Sequence, residues 1–241
     1  MEAKYKRVLL KLSGEALAGK NGNCIEPESL ASIAEEIADA HSLGTEIAVV
    51  VGGGNIYRGK LAAEYGFERC AADNIGMLAT AINCLALHAT LENQGIEARV
   101  MTAIQMLKVA DYFIRNKALR HLEKGRVVIL ACGTGHPYFT TDSAAALRAL
   151  ELNADVFLKA TDVDGIYSAD PSEYGAAKRY NTLSYEDYLL SGLSVMDWTA
   201  VSLCRANKLP AVVFNLLDKG NIRRVLVGEN IGTSLRESED A

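Results

Sequence analysis

Four prolines and a single tryptophan are spread over 241 residues, and no Pro/Gly-rich or low-complexity tract divides the chain, so a jointed array of small modules is a poor reading. The five cysteines, Cys24, Cys70, Cys84, Cys132 and Cys204, are odd in number, scattered, and never spaced C-x-x-C. That excludes a disulfide scaffold and the common zinc ribbons, and it fits a reducing, cytoplasmic setting. No sign of charge dominates: 25 basic residues stand against 30 acidic ones, for a net charge of −5. The overall field therefore repels polyanions, and nucleic acid is not the expected main partner, although a phosphorylated small molecule in a local basic pocket is compatible with it. Uninterrupted apolar runs are short, so neither a signal peptide nor a membrane span is expected.

Apolar residues make up 49% of the chain and charged ones 23%, the proportions of an ordinary folded domain. Short β-branched runs without alternation recur at Val8–Leu12, Ile47–Val51, Ala98–Met101, Val127–Cys132, Val156–Leu158 and Ala211–Phe214. Such runs suit strands covered on both sheet faces. Helical patterns lie between them. One begins at Pro27, puts Leu30, Ile33, Ala34, Ile37 and Ala38 on one face, and stops at Gly44; a second runs from Asp73 to Gln94; a third starts at Thr141 or Asp142 and passes through Ala145, Leu147 and Leu150. Strands alternating with helices predict a three-layer α/β/α sandwich with a mainly parallel central sheet, built as one domain over residues 1–241. Residues 168–181 are the most loop-like stretch, and the tail from Arg236 is expected to fray.

The chemistry is expected where the strands end. Val8–Leu12 carries Lys11 and leads into Ser13-Gly14. Ile47–Val51 leads into Gly52-Gly53-Gly54-Asn55, with Arg58 beyond. Val127–Cys132 leads into Gly133-Thr134-Gly135-His136-Pro137 and then Thr140-Thr141-Asp142, and Val156–Leu158 leads into Lys159-Ala160-Thr161-Asp162-Val163-Asp164-Gly165. In a parallel sheet these four loops emerge at one edge, where open α/β folds bind ligands. Glycines let backbone N–H groups approach an anion, and hydroxyls at Ser13, Thr134, Thr140, Thr141 and Thr161 add donors, which describes a polyphosphate cradle. Lys11, Arg58 and Lys159 can neutralise a transferring phosphoryl group, while Asp142, Asp162 and Asp164 can orient lysines or hold Mg²⁺ through water. Lys11 within an apolar strand is informative because an unpaired buried ammonium is costly.

Two familiar patterns fail. Residues 14–21 fit G-x-x-x-x-G-K but place Asn21 where a P-loop needs a hydroxyl, and Gly52-Gly53-Gly54-Asn55 is not a dinucleotide fingerprint. A different resemblance is specific. Lys11 to Leu17, Gly52 to Gly59, Asp73 to Thr80, Gly133 to Asp142, and Lys159-Ala160-Thr161 through Asp170-Pro171 resemble, in order, the motifs of the bacterial UMP kinases of the amino acid kinase superfamily. The likeness runs from about Lys6 to about Leu235.

That resemblance implies transfer of the ATP γ-phosphoryl group to UMP, with Mg²⁺ held mainly by the ATP phosphates and water. It assigns catalysis to Lys11, Arg58, Asp142 and Lys159, with Asp142 organising the lysines. ATP would meet Lys11, Leu12, Ser13, Gly14, Gly54, Arg58, Thr161, Tyr167 and Asp170. UMP would meet Gly53, Asp73, Thr134, Gly135, His136, Pro137, Tyr138, Phe139, Thr140 and Thr141. The acceptor part would span roughly residues 1–150 and the ATP part 151–241. The same resemblance implies a homohexamer, with GTP as activator and UTP as inhibitor. His136 departs from the Asn that such enzymes most often carry, and Asp162 from a basic or amide residue. Two other readings of the fold are an amino acid kinase forming an acyl phosphate and a nucleotide-dependent storage or sensor module.

Overall fold

The computed structural model describes residues 2–19, 23–58, 65–169 and 174–237. Nine strands form one sheet: β1 (Arg7–Leu12), β2 (Glu46–Val51), β3 (Ala98–Thr102), β4 (Asp111–Tyr112), β5 (Val127–Ala131), β6 (Val156–Thr161), β7 (Thr182–Ser184), β8 (Ala211–Asn215) and β9 (Thr233–Arg236). Their spatial order is β4-β3-β5-β2-β1-β6-β8-β9-β7. Pairing is parallel from β4 to β8, and the β7–β9 ribbon runs antiparallel to β8. Seven α-helices fall among the described residues: α1 (Pro27–His41), α2 (Arg69–Asn93), α3 (Arg115–Glu123), α4 (Thr141–Glu151), α5 (Tyr185–Leu190), α6 (Trp198–Ala206) and α7 (Asn221–Leu226).

The core has two halves, one on each sheet face. Helices α1, α2 and α7 cover one side with Ile37, Leu87 and Ile222, while α3 to α6 cover the other with Leu122, Ala145, Tyr188 and Val201. Strand side chains alternate between faces. Thus Leu10 and Leu12 enter the α1/α2 core, whereas Leu9 enters the α4/α6 core, and Leu158 and Phe157 on β6 divide in the same way. Lys11 and Lys159 share the parity of Leu9 and Phe157, so both point toward α4.

The six expected strands and three expected helices are present, with four changes. The α2 helix starts at Arg69, four residues before Asp73. On α1 it is Ala40, not Ala38, that is buried with Leu30, Ile33, Ala34 and Ile37. Cys132 lies beyond the end of β5 in a left-handed conformation, φ 64°, because the chain turns sharply there into the glycine loop. Arg236 is not frayed but closes β9, whose ladder to β7 holds it. Strands β4, β7 and β9 have two to four residues each and carry too little pattern to be read from sequence. An 18-residue window of α2 reaches a mean hydropathy of 1.4, long and apolar enough to cross a membrane. Its burial against the sheet through Met77, Cys84, Leu87 and Leu91 is instead that of a core helix.

Topology positions the site. Strand β1 lies at the centre, with β2 on one side and β6 on the other. The β5–α4–β6 connection must pass over β1 to join them, and α4 packs on β1, β2 and β6 as it does so. Its N-terminus therefore starts at the carboxyl edge of the sheet, above the two lysines.

Candidate active site

Lys11 and Lys159 are direct cross-strand partners in the β1–β6 ladder. Two ammonium groups so placed repel unless a countercharge enters. Asp142, in the first turn of α4, supplies it: its Oδ1 lies 2.9 Å from Lys11 Nζ, and its Oδ2 accepts a short hydrogen bond from Lys159 Nζ. The Oδ1 contact is ionic and lacks hydrogen-bonding geometry. All three are buried, at 9%, 7% and 7% exposure for Lys11, Asp142 and Lys159. Burial pushes the Asp142 carboxyl up, but the Lys11 and Lys159 charges outweigh it and hold the group at about 2. Burial, reinforced by the Lys11 charge, pushes Lys159 below the ordinary lysine range against the pull of Asp142. A carboxylate depressed from 3.8 to about 2 stabilises the fold fully above pH 4 and ceases to do so as pH falls toward 2. Urea unfolding at pH 7 and pH 2.5 should show this contribution, roughly 2 kcal/mol, and the Asp142→Asn variant should lack it.

The loops after β1 and β2 are built as one unit. Ser13 caps a 3-10 turn, Gly14–Leu17, by accepting from the Glu15 N–H at 3.3 Å. Leu12 is wholly buried in the core, so only its backbone reaches this edge, and its carbonyl accepts from Gly52 N at 2.9 Å. A Cβ on Gly14 would lie 2.6 Å from the Gly52 carbonyl and 2.5 Å from Asn55 Oδ1. Asn83 locks the other side, donating to Gly52 O and Asn55 Oδ1, each at 2.7 Å. Gly14→Ala must therefore push the two loops apart. It is expected to cost about 1–3 kcal/mol, the scale of overpacking, read as a lower melting temperature, with a larger proportional loss in nucleotide affinity than in fold. Arg58 does not join the lysine cluster: its partner is Glu15, at 2.6 Å, and both are exposed.

On the β2 and β5 side of β1 lies a pocket walled by Gly53, Gly54 and Tyr57, by Asp73, Gly76, Met77 and Thr80 of α2, and by Gly133, Thr134, His136, Phe139, Thr140 and Thr141. A Cβ at Gly53 would stand 2.9 Å from the Gly76 carbonyl, so only glycine lets this loop lie on α2. Gly54, expected among the ATP contacts, lines this pocket beside Gly53. Asp73 accepts from Arg69 Nε at 2.8 Å and from the Tyr138 N–H at 2.7 Å, tying α2 to the 133–140 loop. Gly135 (φ 82°) packs against Ala103, and Tyr138 (φ 72°) is itself left-handed. Such conformations gather where a loop is shaped for binding. Gly135, Pro137 and Tyr138 are not among the wall residues, although their neighbours are.

A second pocket opens on the β6 and β8 side, lined by Ser13, Glu15, Ala16, Thr161, Asp162, Leu216 and Leu217. Thr161 Oγ1 donates to Asp162 at 3.0 Å. Tyr167 stands apart, donating its hydroxyl to Asp164 at 2.7 Å and bridging to Arg179. Asp170 and Pro171 lie outside the described residues. Leu216, Leu217 and Asn83 were missed in the sequence because an apolar or amide residue carries no chemical signature of its own. Asp197 was missed as well. It caps α6 (Oδ1 to Thr199 N, 3.4 Å) and reaches the start of α4; Ser/Thr/Asp before a helical run was its available signal. Among the described residues, no group of three or more His, Cys, Asp or Glu is placed to hold a metal.

Two clefts flanking two buried lysines and their shared carboxylate define a phosphoryl-transfer site on an α/β sheet. A profile of the amino acid kinase family matches residues 6–215, and the chain belongs to that family. Among solved structures, it is similar to UMP kinase from Bacillus anthracis, with 45% identity over 97% of both chains and a TM-score of 0.95. It is also similar to UMP kinase from Ureaplasma parvum (36% identity, 97% of this chain and 100% of that one, TM-score 0.91) and to uridylate kinase from Archaeoglobus fulgidus (31%, 95% and 99%, TM-score 0.76).

Proposed function

We propose that the protein transfers the γ-phosphoryl group of ATP to UMP, giving ADP and UDP, as a cytoplasmic step of pyrimidine nucleotide synthesis. The observation that carries this is the Lys11–Asp142–Lys159 cluster, buried between two separate pockets. ATP is assigned to the β6/β8 pocket and UMP to the β2/β5 pocket, so that their phosphates meet above β1. The acceptor part then falls mainly within residues 1–150 and the donor part within 151–241, with Lys11 and Ser13 crossing to the donor side.

The nucleophile is a phosphate oxygen of UMP, already anionic at neutral pH, and no general base is needed. Lys11 and Lys159 neutralise charge that builds on the transferring group, and they are rigid because strand backbone and Asp142 hold them before substrate arrives. Asp73 is available to the ribose hydroxyls once Arg69 yields. Mg²⁺ would be held by the ATP phosphates and water and would supply charge neutralisation on the donor; Lys11 and Lys159 offer it no lone pair, and their part is to meet the phosphate oxygens. The homohexamer, GTP activation and UTP inhibition are proposed from the family likeness.

Phosphate transfer from Mg-ATP to UMP, CMP and N-acetylglutamate, followed as ADP with and without GTP or UTP, tests the reading. Rapid turnover on UMP alone is expected. Turnover on N-acetylglutamate would make the protein an acyl-phosphate kinase, and tight ATP binding with no acceptor turned over would make it a storage or sensor module.

A further inference from the structure

Three elements meet at one carboxylate that the catalytic cluster does not include. Asp197 ends the segment before α6, and α6 packs along α4, with Ala200, Val201 and Cys204 sharing a core with Ala145, Ala146 and Ala149. Its Oδ2 accepts from Thr140 Oγ1 at 3.0 Å and, in a short hydrogen bond, from Ser143 Oγ. Thr140 is the N-cap of α4, accepting from the Ser143 N–H at 3.2 Å, and it also walls the acceptor pocket. The backbone N–H of Asp197 points at the Oδ2 of Asp142, 3.3 Å away. That oxygen is the one that holds Lys159.

Thr140 and Ser143, two residues before Asp142 and one after it, are thus gripped by one side chain at the cap of another helix, and Asp142 is itself contacted by the same residue's backbone. A helix first turn has few intrahelical bonds of its own and is the part most prone to fray. Here it carries the carboxylate that touches both lysines, in a position where a misplacement of an ångström would be felt in the rate. A free helix terminus would not hold that position.

We propose that Asp197 is a positioning residue of the phosphoryl-transfer site: by clamping Thr140 and Ser143 it fixes the first turn of α4, and with it the carboxylate that orients Lys11 and Lys159. It lines neither of the two pockets and acts through Asp142. The assignment rests on the kinase reading given above. It goes beyond that reading in placing a determinant of catalytic geometry on α6, outside every loop of the sheet edge. The isosteric Asn can present an oxygen to both hydroxyls, whereas Ala removes both bonds and leaves the buried Ser143 hydroxyl with only the 3.4 Å contact to Thr140 Oγ1.

The test compares Asp197→Ala, Asp197→Asn and Ser143→Ala in the full chain. In Asp197→Ala, kcat with UMP should fall by about 10²-fold, the scale of a misplaced reacting group, with KM for Mg-ATP nearly unchanged. Asp197→Asn should restore most of the loss, and Ser143→Ala, which removes one bond, should show a smaller drop in the same parameter. Amide hydrogen exchange gives a readout without turnover: the Ser143 and Ala144 amides should exchange at least about tenfold faster in Asp197→Ala than in Asp197→Asn. Equal kcat in Asp197→Ala and wild type, equal losses in the Ala and Asn variants, or unaltered exchange at the start of α4 would each overturn the clamp. Wild-type protein that leaves UMP unphosphorylated would instead overturn the kinase reading, and the exchange measurement would still decide the clamp.

Discussion

Asp142→Asn is expected to lower kcat with UMP by about 10³-fold, comparable to removing a preorganised electrostatic group from a transition state. The amide keeps the shape and loses the charge. Lys11 and Lys159 then face each other across the β1–β6 ladder without the carboxylate that bridged them. Two buried ammonium groups cannot both stay protonated there at little cost, so one gives up its proton or swings out, and the pair ceases to be a rigid cationic clamp. Breaking a buried ion cluster from one side also costs stability, about 3–5 kcal/mol, so the melting temperature should drop by roughly 10 °C while the folded circular dichroism spectrum persists. Steady-state turnover at saturating Mg-ATP is the measurement. Activity within about threefold of wild type would remove Asp142 from the mechanism.

Lys159→Met separates catalysis from charge balance in the opposite way. Methionine fills nearly the same volume and takes away one cation, leaving Lys11 and Asp142 as a one-to-one pair at 2.9 Å. The fold should therefore tolerate this change better than Asp142→Asn, although more charge is removed from the reacting phosphates. We expect kcat to fall by about 10²-fold, with melting close to that of the wild type. The wild type should also lose activity at alkaline pH sooner than an ordinary lysine would dictate, because burial and the Lys11 charge lower the Lys159 pKa. The ammonium is needed, so activity declines as pH rises through that lowered value. In Lys159→Met this alkaline limb should vanish. A variant as unstable as Asp142→Asn, or one that keeps the limb, would contradict the charge arithmetic of the cluster.

Much of the fold was legible in the sequence, since the signal was local. Runs such as Ile47–Val51 are apolar on both faces only if helices cover both, and Pro27 and Gly44 bracket a 3.6-residue pattern by their backbone preferences alone. Lys11 and Lys159 were conspicuous for the same reason, as cations inside apolar strands. Strands β7 and β9 were not, since three or four residues take their extended form from the neighbours they pair with. Asp73 and the 133–140 loop were both marked as acceptor contacts, yet nothing along the chain said that the Asp73 carboxylate receives the Tyr138 N–H, 65 residues away.

Residue type and spacing along this chain settled a parallel α/β layout, a phosphate-handling edge, and lysines and a carboxylate as its charged groups. Partnership was settled by folding. That Lys11 faces Lys159, that α4 crosses β1 to bring Asp142 between them, that Arg58 turns instead to Glu15, and that Asp197 reaches back from α6 all depend on strand order and helix packing. Those contacts join residues 17 to 148 positions apart, distances over which no propensity or periodicity acts. Only the burial of two sheet faces at once brings them together, and a carboxylate's charge becomes an active-site property when water has been excluded from around it.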